Sequence, residues 1–117
     1  LASIQNKIGE ERIVEVLKLV GLDPDDNRPV RTYSMGMLQR LGIAQALMEN
    51  PKLVILDELT SNLDRQGIAS IHNLIKELNT EGITFILTSP NEKELEHICD
   101  KIFWIENGHI EQDSMEM

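Results

Sequence analysis

The chain has 117 residues, of which 41% are apolar and 26% charged, enough for one globular domain with its own core. Its formal net charge of −9, without a cluster of Lys and Arg, argues against binding to nucleic acid or to an anionic membrane surface. Cys99 is the single cysteine, which excludes an intrachain disulfide and favours a cytosolic origin. No apolar run reaches membrane-spanning length, and no signal peptide is evident. Because the first residue is Leu1 rather than Met, we expect the chain to be a piece of a longer protein.

The first 50 residues predict two helices joined by a loop. Apolar residues recur at helical spacing in residues 10–20, and Gly21 is the expected stop. Residues 23–31 are rich in Pro, Asp and Asn and predict a loop. A second helix is expected to start at Ser34, a good N-cap, and to present a broad apolar face through residue 50.

Strands and helices alternate in the rest of the chain. The predicted elements are strand 53–57, helix 65–79, strand 83–89, helix 91–99, and a hairpin over 101–112 that turns at Asn107-Gly108. The apolar run in residues 53–56 shows no polar alternation, which predicts a strand covered on both faces. This alternation indicates βαβ units and a parallel sheet, hence an α/β fold.

Two acids, Asp57 and Glu58, follow directly on this apolar run. An isolated buried carboxylate is too costly, so both must emerge at the carboxyl end of the strand, where open α/β sheets bind ligands. Adjacent strand residues point to opposite faces, so the chain must turn at Glu58 if both acids serve one site. Such a pair suits Mg²⁺ and a base that orients water. The alternative is that Asp57 caps the next segment and Glu58 is solvated, and these residues alone leave both interpretations open.

The histidines and the cysteine form no convincing metal motif. His97 and Cys99 are two candidate ligands without convincing partners, so we expect ordinary helix residues there. We expect His72 and His109 at the surface. Trp104, the single tryptophan, is expected in the core.

The segment YSMGMLQRLGIAQALMENPKLVILDE, residues 33–58, carries the features of a phosphate site. A helix start with exposed N–H groups after Ser34 suits an anion, and Gly36 lets another group approach the backbone. With this segment the chain resembles the ATP-binding subunits of ABC transporters. Residues 33–40 resemble the signature sequence of these subunits, which is usually L-S-G-G-Q. Residues 53–58 resemble the Walker B strand with its following Glu. The sequence SNLD at residues 61–64 resembles the D-loop. The form YSMGM followed by QRLGIA looks most like exporters of the bacitracin and lantibiotic type.

The resemblance implies part of the P-loop NTPase fold in its ABC ATPase form, with a parallel sheet, flanking helices and a C-terminal β-hairpin. It places residues 1–50 in the helical subdomain that carries the signature and residues 51–117 in the C-terminal part of the α/β core. It implies ATP and Mg²⁺ as cofactors, and a function that couples ATP binding and hydrolysis to export. The implied partners are a second ATP-binding subunit and a transmembrane permease, on the cytoplasmic face of the cell membrane, and no nucleic acid.

The resemblance also implies a role for each matching residue. Asp57 would hold Mg²⁺ on the β- and γ-phosphates, and Glu58 would be the catalytic residue that polarises the attacking water. Ser34 and Gly36 would contact the γ-phosphate of ATP held by the second subunit. Asp64 would lie at the dimer seam and couple the two sites.

Several positions depart from the family pattern. Met35 and Met37 replace a signature glycine and glutamine, and Leu59 replaces the usual proline. Pro90 stands where the family places the histidine that senses the γ-phosphate, and proline has neither imidazole nor N–H. Natural degeneracy and a later sequence change both account for it.

The sequence around Pro90 nevertheless predicts a well-formed helix start. Ser89 is the expected N-cap, Pro90 would occupy the first helical position, and Glu92 would complete a capping box. We therefore expect the fold to survive this replacement and the switch chemistry to be lost.

The 117 residues contain no G-x-x-x-x-G-K-[ST] sequence and no Gly-Lys pair. We expect the carboxyl half of an ATPase, inactive by itself. The alternative is a non-catalytic ABC-like module for dimerisation or regulation. An ABC-type DNA-repair or translation factor is disfavoured by the acidic charge.

The resemblance also predicts how the strands are arranged. Strands 53–57 and 84–88 should pair in parallel. Strand 102–106 should lie beyond a gap, which leaves an apolar edge at residues 83–87. Such an edge invites pairing with another chain. The alternative is that strand 102–106 moves in beside strand 84–88 and closes the gap.

Overall fold

A computed structural model describes residues 6–112 and confirms the predicted order of elements. The helices are α1 (Asn6–Leu19), α2 (Met35–Leu47), α3 (Arg65–Thr80) and α4 (Glu92–Ile98), with a short 3-10 turn at Val30–Thr32. The strands are β1 (Leu53–Asp57), β2 (Thr84–Thr88), β3 (Phe103–Glu106) and β4 (His109–Gln112). No helix in this part of the chain is both long and apolar enough to cross a membrane.

Short polar side chains set the starts of α2 and α3. Ser34 Oγ accepts a hydrogen bond from the N–H of Met37 at 3.1 Å, which confirms Ser34 as the N-cap of α2. Asp64 Oδ1 accepts from the N–H of Gly67 at 2.7 Å and caps α3 in the same way. Gly21 follows the end of α1 with φ +80°, a conformation that glycine adopts without a Cβ penalty.

The start of α4 differs from its prediction. The N-cap is Asn91 rather than Ser89, because the amide oxygen of Asn91 accepts from the N–H of Glu94 at 3.2 Å. Ser89 Oγ accepts instead from the N–H of Asn91 at 3.0 Å, in a local turn. Pro90 therefore lies before the helix and not at its first position. Two good capping residues stand two positions apart here, and the second forms the cap.

One hydrophobic core joins α1, α2, α3 and β1. Its members are apolar side chains with 0–6% of their surface exposed: Val16, Val20, Ile43, Ala44, Leu47, Val54, Leu56, Ile71, Leu74, Ile75 and Leu78. Fully burying a side chain of this size stabilises the fold by about 1.5–3 kcal/mol. Phe85 and Leu87 of β2 are partly buried against this core.

The strands form two separate two-stranded sheets. β1 and β2 pair in parallel, with a register from Leu53 beside Thr84 to Asp57 beside Thr88, as predicted. β3 and β4 form an antiparallel hairpin. Within residues 6–112 no ladder joins β2 to β3, which confirms that the third strand does not close the edge of β2.

The β1–β2 sheet is covered on one face only by the described residues. Val54 and Leu56 are buried, whereas Leu53 and Ile55 are 50% and 65% exposed and Ile86 of β2 is 49% exposed. The prediction that this strand is covered on both faces is therefore wrong for this part of the chain, because the described core lies on one side of the sheet.

The hairpin also departs from its prediction. Trp104 is 44% exposed and is not a core residue, and Phe103 beside it is 53% exposed. The hairpin pairs with itself and with no other described strand, so its apolar side chains have little to pack against. Between β2, α4 and the hairpin lies a groove of about 1060 Å³.

Candidate functional site

The two predicted acids lie where β1 ends. Asp57 is the last residue of the strand and stands beside Thr88, the last residue of β2. The Thr88 hydroxyl donates a hydrogen bond to the Asp57 carboxylate. The backbone N–H of Glu58 donates to both oxygens of Thr88. The carbonyl oxygen and the hydroxyl oxygen each lie 3.0 Å from the Glu58 nitrogen. Thr88 was missed by the sequence analysis, because only the register of β1 and β2 places it beside Asp57.

The chain turns at Glu58, as a shared site for the two acids requires. Glu58 has φ +49°, a left-handed conformation that an ordinary side chain adopts at a cost of about 1–2 kcal/mol. Its backbone hydrogen bonds to Thr88 hold this conformation. Asp57 and Glu58 are both exposed, so their carboxylates are accessible to a ligand from solution.

The chemistry of this strand end fits a hard cation. Mg²⁺ is usually held in proteins by one or two carboxylates together with water and substrate phosphates. Asp57 and Glu58 supply such carboxylates, and the Thr88 hydroxyl orients one of them. No group of three or more His, Cys, Asp or Glu is placed to hold a metal ion within residues 6–112. A cation held by these two acids would need further ligands, such as water or phosphate oxygens.

Ser34, Gly36 and Asp64 meet at a second site, a cleft of about 280 Å³ between the starts of α2 and α3. Neither Asp57 nor Glu58 lines this cleft. A Cβ added at Gly36 would meet no atom closer than 3.9 Å, and that atom is Ser34 Oγ. Packing within the chain therefore does not demand glycine at 36, which leaves room for a group from outside.

Arg40 also lines this cleft and was not singled out by the sequence analysis. Its Nη1 donates to the carbonyl of Val20, at the end of α1, at 2.6 Å. Its Nη2 donates to the hydroxyl of Ser70 on α3. The Arg40 side chain thus fixes α2 against both neighbouring helices.

A partly buried polar cluster joins the loop that follows Glu58 to α3 and α4. Glu94 Oε2 accepts a hydrogen bond from Thr60 Oγ1 at 2.6 Å and lies 3.3 Å from His72 Nε2. The expected surface position of His72 is wrong: the residue is 6% exposed, because it lies on the core side of α3. Burial lowers the pKa of His72 below its ordinary value of 6.5, and the Glu94 carboxylate opposes this shift.

His97 and Cys99 lie near this cluster but form no metal site with it in the described part of the chain. The His97 ring centroid is 6.0 Å from that of His72, and the two rings are tilted by 35°. Burial raises the pKa of the Cys99 thiol above its ordinary value, and Asp100 and Glu94 add to the shift. A thiol of raised pKa is a poor nucleophile at neutral pH.

Comparison with known sequences gives a consistent set of matches. Residues 2–61 match the family described as ABC transporter. The chain is 42% identical over 113 residues to an uncharacterized ABC transporter ATP-binding protein, YdbJ, of Bacillus subtilis, covering 96% of this chain and 37% of that protein. It is 44% identical over 103 residues to the lantibiotic transport ATP-binding protein SrtF of Streptococcus pyogenes, covering 88% and 45%. It is 36% identical over 114 residues to the bacitracin transport ATP-binding protein BcrA of Enterococcus faecalis, covering 97% and 37%.

Solved structures give the same fold. The ATP-binding cassette MJ1267 in its ADP conformation aligns with a TM-score of 0.79 and 27% identity, over 86% of this chain and 39% of that one. CbiO1 from Clostridium perfringens, part of the ABC transporter complex cbiONQ, aligns with a TM-score of 0.81 and 31% identity, over 91% and 43%. The chain therefore spans less than half the length of these relatives.

Proposed function

The chain belongs to the ABC transporter family of ATP-binding proteins, and we propose that it is the carboxyl-side part of a subunit that hydrolyses ATP to drive export. The observation that carries this proposal is the end of β1, where Asp57 and Glu58 project beside Thr88. Two carboxylates at the carboxyl end of a parallel strand pair suit phosphoryl transfer, which needs positioning and neutralised charge rather than covalent help from the protein.

Each acid has its own role in this proposal. Asp57 would hold Mg²⁺, which would supply positive charge to neutralise the phosphates of ATP. Glu58 orients the attacking water and accepts its proton. The turn at Glu58, held by the two oxygens of Thr88, supports this role, because it breaks the strand alternation that would send the two acids to opposite faces.

The cleft between α2 and α3 acts on a different nucleotide. Ser34 and Gly36 contact the γ-phosphate of ATP bound by a second ATP-binding subunit, and Asp64 lies at the seam between the two subunits. The empty space beside Gly36 and the capped start of α2 support this role, because the first N–H groups of a helix attract an anion.

The relatives support a proposal for the wider assembly. A transmembrane permease is the second partner, so the subunit works on the cytoplasmic face of the cell membrane. Residues 1–50 form part of the helical subdomain, and residues 51–117 form part of the α/β core. The names of SrtF and BcrA support a peptide antibiotic of the lantibiotic or bacitracin type as the exported substrate.

The Mg²⁺ dependence of ATP hydrolysis by the full-length protein tests this function. Asp57→Asn should lower the maximal rate and raise the Mg²⁺ concentration needed for half of it, because the variant loses the charge that holds the ion. Asp25→Asn, an equal change on an exposed loop, should leave both values unchanged. If wild type hydrolyses no Mg-ATP, or if Asp57→Asn behaves like Asp25→Asn, the proposed function is wrong.

Pro90 favours a second candidate, a non-catalytic module used for dimerisation or regulation. It lies just after β2, at the sheet end that carries Asp57 and Glu58, and it offers no group that could sense a phosphate. Hydrolysis that is negligible in wild type and rises in Pro90→His would favour the regulatory role.

A further inference from the structure

In the partly buried cluster formed by Thr60, His72 and Glu94, three separate parts of the chain meet at one carboxylate oxygen. Glu94 Oε2, on α4, receives the Thr60 hydroxyl at 2.6 Å and faces His72 Nε2, on α3, at 3.3 Å. The side chains of His72 and Glu94 are 8% and 11% exposed. A carboxylate that is this far removed from water requires such partners, since an unpartnered one would be strongly disfavoured.

The position of Thr60 gives the cluster its importance for the proposed site. Thr60 lies two residues after Glu58, in a tight loop where the carbonyl of Glu58 accepts from the N–H of Ser61 at 3.3 Å. The carbonyl of Thr60 accepts from the N–H of Leu63 at 3.1 Å. A displacement of Thr60 therefore moves the backbone on the carboxyl side of Glu58.

The backbone of Glu58 needs this support because its φ of +49° is unfavourable for a residue with a Cβ. Thr88 holds the amino side of Glu58 through two contacts with its N–H. On the carboxyl side, the hydrogen bond from Thr60 to Glu94 anchors the loop to α4. The two anchors lie on opposite sides of the strained residue.

We propose that Glu94 is a positioning residue for the proposed ATPase reaction: through Thr60 it fixes the turn that aims Glu58, and His72 keeps its carboxylate in place. This inference rests on the proposed function, because it assigns Glu94 no contact with ATP. Glu94 belongs to α4, the helix that follows Pro90. The hydrogen bond from Thr60 to Glu94 therefore couples the position of α4 to the orientation of the Glu58 side chain.

Substitutions at Thr60 test this role with little change of shape. In the full-length protein, Thr60→Val removes the hydroxyl and keeps the branched side chain, whereas Thr60→Ser keeps the hydroxyl. Thr60→Val should lower kcat by about ten- to a hundredfold, the loss expected when a catalytic group is displaced by a fraction of an ångström to 1 Å. KM for ATP should stay within about twofold, since no ATP contact is removed. Thr60→Ser should restore most of kcat, and Thr80→Val, which removes an exposed threonine hydroxyl, should have no effect.

A combination with Glu58→Gln separates positioning from general loss of structure. If Thr60 and Glu94 act through Glu58, Thr60→Val should lower the residual rate of Glu58→Gln by less than twofold. A full additional loss of ten- to a hundredfold in that background would overturn the proposal. A kcat that is unchanged in both Thr60→Val and Glu94→Gln would also overturn it.

Amide hydrogen exchange in the full-length protein tests the anchor formed by Thr60 and Glu94 without relying on ATP hydrolysis. Exchange at Ser61, whose N–H bonds to Glu58, should quicken in Thr60→Val and return to the wild-type rate in Thr60→Ser. This result supports the anchor even if wild type hydrolyses no ATP, an outcome that would refute the proposed function alone. Unchanged exchange at Ser61 in Thr60→Val would refute the anchor whatever the ATPase rate.

Discussion

At the scale of single residues, the site depends on polar partners that have no sequence motif. The acids Asp57 and Glu58 follow from the sequence, because an apolar strand that runs into two carboxylates must expose them. Thr88 and Glu94 are distant in sequence and enter through the fold: the register of β1 and β2 places Thr88 beside Asp57, and the approach of α4 brings Glu94 to Thr60. Such partners could not be read from local spacing.

The buried His72 gives the chain a specific pH dependence. Burial holds its folded-state pKa below 6.5, against the attraction of Glu94, and His97 and Lys76 lower it further. Below pH 6.5 the unfolded chain therefore binds a proton that the folded chain resists, so the free energy of unfolding should fall as the pH drops from 6.5 to the folded pKa. From about one pH unit above 6.5 this group should add no slope.

Urea denaturation of the full-length protein between pH 8 and pH 5 measures this effect. His72→Gln, which keeps a donor for Glu94, should flatten the fall below pH 6.5. His109→Gln, at an exposed position on the hairpin, should keep the wild-type profile. Parallel profiles for wild type and His72→Gln would show that His72 does not contribute to the pH dependence.

At the scale of elements, α1 and α2 hold each other through reciprocal arginine contacts. Arg40 on α2 donates to the carbonyl of Val20, one residue beyond α1. Arg12 on α1 donates to the carbonyls of Leu47 and Met48 at the end of α2, at 2.5 and 3.0 Å. Each arginine satisfies carbonyls that a helix leaves without partners and places positive charge at its negative end.

Replacing Arg40 should loosen this pair of helices. Arg40→Met keeps much of the aliphatic volume but loses the hydrogen bonds to Val20 and Ser70, so we expect a loss of about 2 kcal/mol in the free energy of unfolding. Arg31→Met, at an exposed position, should change it by less than about 0.5 kcal/mol. Urea denaturation of the full-length protein measures both. A loss in Arg40→Met no larger than in Arg31→Met would contradict this account.

The helices and strands were largely predictable from the sequence. The exact helix caps and the face of each element that the core covers were not. Hydrophobic periodicity identified the helices and strands, and Ser34 correctly marked the start of α2. The cap of α4 was placed two residues too early, because Ser89 and Asn91 compete locally and the geometry of the turn decides between them. The positions of His72 and Trp104 were wrong since a lone residue type does not reveal which face of its element is covered.

At the scale of the whole molecule, the β1–β2 sheet has an apolar face and an edge without a partner in residues 6–112. Leu53, Ile55 and Ile86 lie on the exposed face, and β2 pairs with β1 alone. Exposed apolar sheets with open edges are prone to associate with other chains. The matched part of this chain covers 37% of YdbJ and 45% of SrtF, so those proteins have further residues with which such a surface can be covered.

The 117-residue chain by itself should therefore self-associate. Sedimentation velocity should show species larger than a monomer whose share grows with protein concentration. Ile86→Lys, which puts a charge on the exposed face, should shift the chain toward monomer. Val30→Lys makes the same change at an exposed site outside the sheet and should not. A chain that stays monomeric at every concentration would show that the open sheet does not drive association.

The hydrolysis of Mg-ATP by the full-length Glu58→Gln variant tests the central claim most directly. The change is nearly isosteric and keeps a group that can hydrogen-bond to water, but it removes the base, so turnover should fall by about 10²–10⁴-fold. The affinity for ATP, measured by calorimetry, should stay near the wild-type value, because Glu58 acts on the water. Glu77→Gln, at an exposed position on α3, should leave both quantities unchanged. Wild-type turnover in Glu58→Gln would contradict the assignment of the strand-end acids as the site of ATP hydrolysis.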